Sequence, residues 1–176
     1  FKMYTPPIQD QKFIIEYLIG FDTIARQAKI DNQNQENIDK ELIWSILEEA
    51  GKFASNILAP INHSGDKQNS IITEEGDVRT PDGFREAYKA MCDAGWTTLE
   101  AKSEWGGQQM PMSISAAVCE MWHSANMSFA LCHLLSQGQI YALQKSASEE
   151  QKKKYLPNLV SGKWTGTMNL TEPQAG

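Results

Sequence analysis

Thr171 is the residue best placed to do chemistry, lying within Gly166-Thr-Met-Asn-Leu-Thr-Glu-Pro-Gln-Ala-Gly176. Apolar and β-branched residues run into Thr171-Glu172-Pro173, so the pattern predicts a strand that delivers a threonine hydroxyl and several backbone amides to a sharp turn. Convergent donors of that kind suit a cofactor site. The other reactive side chains lead to weaker expectations. Cys92, Cys119 and Cys132 are odd in number and form no C-x-x-C pair, which supports neither a disulfide framework nor a zinc site. A reducing, cytoplasmic setting is the natural reading of such cysteines. Cys132 and His133 are adjacent, but neighbours in sequence are not thereby a nucleophile and its base, and Cys132 is expected in the core. Lys152-Lys153-Lys154 is the one basic cluster and reads as a solvated helix face rather than a phosphate site.

Helices must position the turn. Phe13, Tyr17, Phe21 and Ala25 recur four apart, with Ile14, Leu18 and Ile24 beside them, which predicts a first helix from about Asp10. A second is expected from about Glu36 to Leu58, with Ile38, Leu42, Ile46 and Ala50 in one row and Ile43, Leu47, Ala54 and Leu58 in the next. Pro60 should end it, leaving residues 62–80 as a polar loop in which Ile71 and Ile72 make one short extended stretch. Thr80-Pro81 reads as an N-cap with proline at the first helical position of a helix that Gly95 closes. Further helices are expected from about Ser113, from Ser128 with an interruption at Ser136-Gln-Gly138, and from the capping box Ser148-Glu-Glu-Gln151 to Leu159. Asn126 should break the chain between the first two. Lys163–Leu170 changes period and favours a strand, which has nothing to pair with in this chain. A β-domain is therefore expected to follow.

The bulk composition agrees with one soluble domain: 176 residues, 41% hydrophobic and 22% charged. A net charge of −6 argues against a duplex nucleic-acid binder, and no apolar run is long enough for a membrane span. The chain opens at Phe1 without a secretory signal pattern, and part of a longer protein is the expectation.

Three ordered motifs resemble the N-terminal part of the acyl-CoA dehydrogenase family. They are Gly95-Trp96 with Glu104-Trp105-Gly106-Gly107, then Ser148-Glu-Glu-Gln-Lys152 with Tyr155-Leu-Pro157 and Gly162, then Leu170-Thr-Glu-Pro173 with Ala175-Gly176. Tyr4-x-Pro-Pro7, Ala59-Pro-x-Asn62, Thr80-Pro-x-Gly-Phe84 and Trp164-Thr-Gly-Thr-Met168 are similar to the larger bacterial members, of the 3-methylmercaptopropionyl-CoA dehydrogenase type.

The resemblance implies an all-α fold, the N-terminal helical domain of the acyl-CoA dehydrogenase fold plus the first strand of the middle β-domain. Its boundaries would be 1–35 for an extension helix, 36–162 for the helical domain and 163–176 for the start of the β-domain. It also implies FAD as cofactor and oxidation of an acyl-CoA to the 2-enoyl-CoA. In that reaction a glutamate of a C-terminal bundle removes the α-proton and the flavin takes the β-hydride, so no catalytic residue falls in this chain. By the resemblance Leu170 and Thr171 offer main-chain amides to the flavin, Thr171 adds its hydroxyl, and Met168 lies against the ring system. Phe129, Ala130 and His133 fall near the base of the acyl pocket, where a bulky Phe129 would favour a short or thio-substituted acyl group; the alternative is that Phe129 and His133 are core residues of a buried helix. The implied partners are acyl-CoA, an electron-transfer flavoprotein, and further copies of the chain in a dimer or tetramer. A helical interaction module that keeps the fold without catalysis is the alternative.

Overall fold

The computed structural model describes residues 4–31, 38–169 and 171–174. Helix α1 (Ile8–Phe13) runs into a π-turn (Ile14–Ile19) and α2 (Phe21–Asp31). Gln11 docks this lead-in onto the rest: its side chain is buried and its Nε2 donates to the Ala117 carbonyl and to Glu120, both at 2.9 Å. Helix α3 (Lys40–Phe53) starts where the Asp39 carboxylate accepts from the Leu42 N–H at 2.7 Å. Its core row is Ile43, Leu47, Ala50, Ala54 and Leu58, all fully buried, whereas Leu42 of the other expected row is exposed.

Pro60 does not end this helix. A π-turn over Ala54–Leu58 intervenes, and α4 (Ala59–Gln68) follows with Pro60 in its first turn. A proline there loses no hydrogen bond, because the first N–H groups of a helix have no intrahelical partner. The expected polar loop therefore begins only after Gln68. Ile71–Ile72 (β1) then pairs antiparallel with Val78–Arg79 (β2) in a small hairpin. Thr80 is not the cap expected of it: α5 (Phe84–Asp93) starts three residues later behind Gly83. Gly65 brings α4 against α5, since a Cβ there would lie 2.6 Å from the Phe84 ring.

Two 3₁₀ turns, Trp96–Thr98 and Ser103–Trp105, lead to α6 (Met112–Ala125), α7 (Met127–Ser146) and α8 (Glu149–Val160). Asn126 breaks the chain between α6 and α7 as expected, whereas Ser136-Gln-Gly138 lies inside an unbroken α7. The Ser148 capping box is formed in both directions. The core is built from α3, α6 and α7 around Trp122, whose ring meets Phe53, Trp96 and His133 at 5.3 to 5.7 Å between centroids.

The described residues of 163–169 form no strand. A strand is held by a neighbour's hydrogen bonds, and the described residues supply none here.

Candidate functional site

The motif segment rests on α7. After α8 the chain turns at Ser161 and Gly162, whose carbonyl accepts from the Tyr88 hydroxyl at 2.9 Å. The Trp164 N–H donates back to the Asn158 carbonyl at 3.0 Å. Gly166 then passes against the middle of α7, where its N–H donates to the buried Ser136 hydroxyl at 3.0 Å. A Cβ on Gly166 would collide with the Gln139 side chain and lie 3.1 Å from the Ser136 Cα.

Beyond that contact the segment is exposed. Met168 keeps 64% of its surface, and Thr171 is exposed as well. The N–H groups of Thr167, Met168 and Asn169 donate to no described residue. Leu170 lies outside the described residues. Apolar surface beside amides that donate to no described residue suits a planar cofactor with an electron-rich edge, so the residues present fit a flavin.

The three residues expected at an acyl pocket are all buried on one side of α7, and Phe129 alone of them lines a cleft. Phe129 is on the floor of a cleft of about 780 Å³ bounded by α4, the hairpin, α5 and the start of α7. Its ring packs edge-on against Phe84, 5.8 Å between centroids, rather than standing across an opening. Ala130 and His133 are buried in the core. His133 packs edge-on against Trp122, and burial pulls its pKa down to about 4, with His123 adding to the shift.

Cys132 is exposed and lines the cleft, so the expectation of a core cysteine is corrected. One residue along a helix turns the side chain through about 100°, which puts Cys132 and the buried His133 in different surroundings. Lys152 pairs with Glu149 at 2.9 Å, in keeping with a solvated face. Among the described residues no group of three or more His, Cys, Asp or Glu could hold a metal, and no helix is long and apolar enough to cross a membrane.

One surface was missed in the sequence. Met127, Leu131, Leu134 and Tyr141 keep 54, 44, 47 and 61% of their surface, in a stripe along one face of α7. Gly138 stands in the same stripe, and a Cβ there would meet nothing within 4 Å. Ser136 and Gln139, which hold the motif segment, lie on the opposite side of α7 from this stripe. The available signal was that α7 is apolar on all sides, which a helix with only one covered face does not need.

Comparison with known proteins gives this arrangement its family. The model of the acyl-CoA dehydrogenase N-terminal domain matches residues 44–163. A 3-methylmercaptopropionyl-CoA dehydrogenase of Ruegeria pomeroyi is 39% identical over 98% of this chain and 28% of its own length. A butyryl-CoA dehydrogenase of Syntrophomonas wolfei is 32% identical over the same shares. Among solved structures, an acyl-CoA dehydrogenase of Bacillus anthracis complexed with FAD has the same fold, with a TM-score of 0.59 and 23% identity over 83% of this chain and 22% of that one. The chain belongs to the acyl-CoA dehydrogenase family, and its fold is that of the family's helical N-terminal domain. It spans about 28% of the length of the curated relatives it matches first.

Proposed function

We propose that this chain forms one wall of the active site of an FAD-dependent acyl-CoA dehydrogenase, which converts an acyl-CoA thioester to the 2-enoyl-CoA. The observation that carries the reading is the exposed motif segment, where Met168 stands among amides that donate to no described residue.

Bound FAD would supply the acceptor for the β-hydride. The residues of this chain bind and orient. Met168, the main-chain amides of Leu170 and Thr171 and the Thr171 hydroxyl are the groups that would hold the flavin, and those donors would suit the negative charge a reduced flavin carries. Leu131 and Leu134 bury the acyl chain and exclude water from the reacting carbons, and the gap at Gly138 leaves room for it. Phe129, Ala130 and His133 back that wall from the core, where a neutral His133 adds no charge beside an apolar substrate.

The chain has no part in removing the α-proton, which falls to a carboxylate outside residues 1–176. The fragment 1–176 by itself therefore neither retains FAD nor turns over substrate. The proposed boundaries are a lead-in over 1–35, the helical domain over 36–162 and the start of a β-domain from 163. An electron-transfer flavoprotein is the proposed acceptor, a dimer or tetramer the proposed assembly, and a reducing cytoplasm, in keeping with three free cysteines, the proposed compartment.

The test is anaerobic titration of the full-length flavin-loaded protein with acyl-CoA thioesters of increasing chain length. Bleaching of the flavin absorbance is expected. A yellow protein that no acyl-CoA bleaches would overturn the dehydrogenase reading and leave a non-catalytic interaction module of the same fold.

A further inference from the structure

We infer that the apolar face of the N-terminal lead-in, formed by Phe13, Ile14, Tyr17 and Leu18, is a contact surface for a second copy of this protein. The inference rests on the assembly proposed above, not on the chemistry, and goes beyond it by assigning the surface.

The four residues stand as two pairs four apart, where α1 runs into the π-turn, and the rings of Phe13 and Tyr17 meet at 5.2 Å between centroids. They keep 54, 43, 69 and 70% of their surface, on the order of 500 Å² in all. The largest apolar patch on a monomer is roughly 300–600 Å², and a standard interface takes roughly 800 Å² from each partner. This face is therefore large for a monomer and supplies the greater part of one side of an interface.

The face is held still by its other contacts. Ile15 is buried beneath it, and Gln11 ties the helix to α6 through the Ala117 carbonyl and Glu120. Ile8 and Pro6 lie so close to α3 that a Cβ on Gly51 would fall 2.8 and 3.0 Å from them. Lys12 pairs with Glu48 at 2.6 Å, and Lys40 pairs with Glu16. A surface already fixed loses little freedom when it is covered, which favours association.

Two features select a second copy as the occupant. The first is the order of residues. A two-fold axis through the middle of the face sets Phe13 opposite the partner's Leu18 and Ile14 opposite the partner's Tyr17. Each ring then meets an aliphatic side chain, and the pairing is the same from either side, as an isologous contact requires. The second is charge. A net charge of −6 opposes the meeting of two copies. At this edge Lys12 and Glu16 are already matched by Glu48 and Lys40, so the border adds no net charge to the contact.

The test is the assembly of the full-length flavin-loaded protein, followed by sedimentation. Leu18→Asp places a carboxylate within the face, and Ile72→Asp adds the same charge on the exposed hairpin as the control. Leu18→Asp should raise the dissociation constant of one assembly step at least tenfold, with Ile72→Asp within about twofold of the parent. A second measurement does not depend on a disruptive change. Ile14→Cys mixed with Tyr17→Cys in an oxidised-glutathione buffer should give a disulfide-linked dimer, in higher yield than either variant alone or the parent. The two thiols are oxidised to the disulfide, and glutathione disulfide is reduced to two thiols.

An unchanged dissociation constant in Leu18→Asp, or no excess cross-link in the mixture, would overturn the inference and leave the dehydrogenase reading intact. Equal weakening in Ile72→Asp would overturn it as well, since charge alone would then explain the effect. So would a lower urea midpoint in Leu18→Asp with assembly unchanged, which would mean that the rest of the same polypeptide covers the face. A monomeric parent would remove the proposed assembly and this inference together, while the acyl-CoA titration of that parent decides the chemistry separately.

Discussion

The two faces of α7 are equally apolar and differently used. Phe129, Ala130, His133 and Ile140 are buried on one side, while Met127, Leu131, Leu134 and Tyr141 face outward. Both sets recur at helical spacing, so hydrophobic pattern alone cannot tell core from binding surface. What separates them is which partners the chain supplies. α4, α6 and α8 cover the inward face, and no described element covers the outward one. An apolar face that this chain leaves open is where the substrate or the rest of the protein is to be sought.

The largest expected effect falls on the inward face. Phe129→Ala should destabilise residues 1–176 by about 3–5 kcal/mol, because a buried ring leaves a cavity that Phe84 alone cannot fill. Urea unfolding measures it. A loss below about 1 kcal/mol would mean that the ring is dispensable to the core and that the two faces are less different than their burial indicates.

His133 gives the inward face a pH dependence that the outward face lacks. Its folded-state pKa is depressed to about 4 from 6.5, chiefly by burial and secondarily by His123. Protonation therefore favours the unfolded chain. Stability is full above about pH 6.5 and falls as the pH drops through 6.5 toward 4, by up to about 3 kcal/mol. Stability curves at pH 7 and pH 4.5 should differ by most of that amount in the parent and by much less in His133→Gln. Other carboxylates titrate below pH 5, so the difference between the two proteins is the quantity to compare.

Asn126 joins the N-terminus of α7 to the π-turn that precedes α4. Its Nδ2 donates to the Leu58 carbonyl at 3.2 Å, and its Oδ1 accepts from the Phe129 N–H at 3.2 Å and from the Ser128 hydroxyl. Asn126→Ala removes a cap and leaves a buried carbonyl without this donor, at a cost of about 2 kcal/mol. Asn126→Asp keeps the cap and loses only the donor to Leu58. Its cost should be smaller if capping dominates, and equal or larger if the tie to the π-turn does.

The readable parts of the sequence were those fixed by local chemistry. The Ser148 capping box, the Asn126 break, the short extended stretch at Ile71–Ile72 and the glycine after α5 depend on neighbours within a few residues, and each is where the pattern placed it. The misreadings needed information from farther away. Pro60 as a terminator failed because a π-turn resets the helix and puts proline in a first turn. Gly138 as an interruption failed because the tertiary packing of α7 outweighs a glycine's modest penalty. Residues 163–169 have strand-forming types and no strand partner among the described residues, so propensity had nothing to act on. For the candidate site, the segment carrying Met168 and Thr171 is singled out by its residue types and order, and its flavin role is a proposal. Ser136 is not singled out, because its meaning comes from Gly166, thirty residues away in sequence.

The smallest expected effect on stability is also the sharpest test of the comparison. Leu134 is exposed in this chain, so Leu134→Asp should change the unfolding free energy of residues 1–176 by no more than about 0.5 kcal/mol. In the full-length holoenzyme the same substitution puts a carboxylate where an acyl chain is proposed to lie. Burying that charge against a hydrocarbon is strongly unfavourable, so acyl-CoA should bind at least tenfold more weakly and bleach the flavin more slowly at any fixed concentration. Flavin content should hold, because Leu134 touches no residue proposed to contact the ring. A large loss of stability in residues 1–176 would show that the outward face is core after all. Unchanged acyl-CoA binding in the holoenzyme would show that the open face of α7 serves a protein contact rather than the substrate.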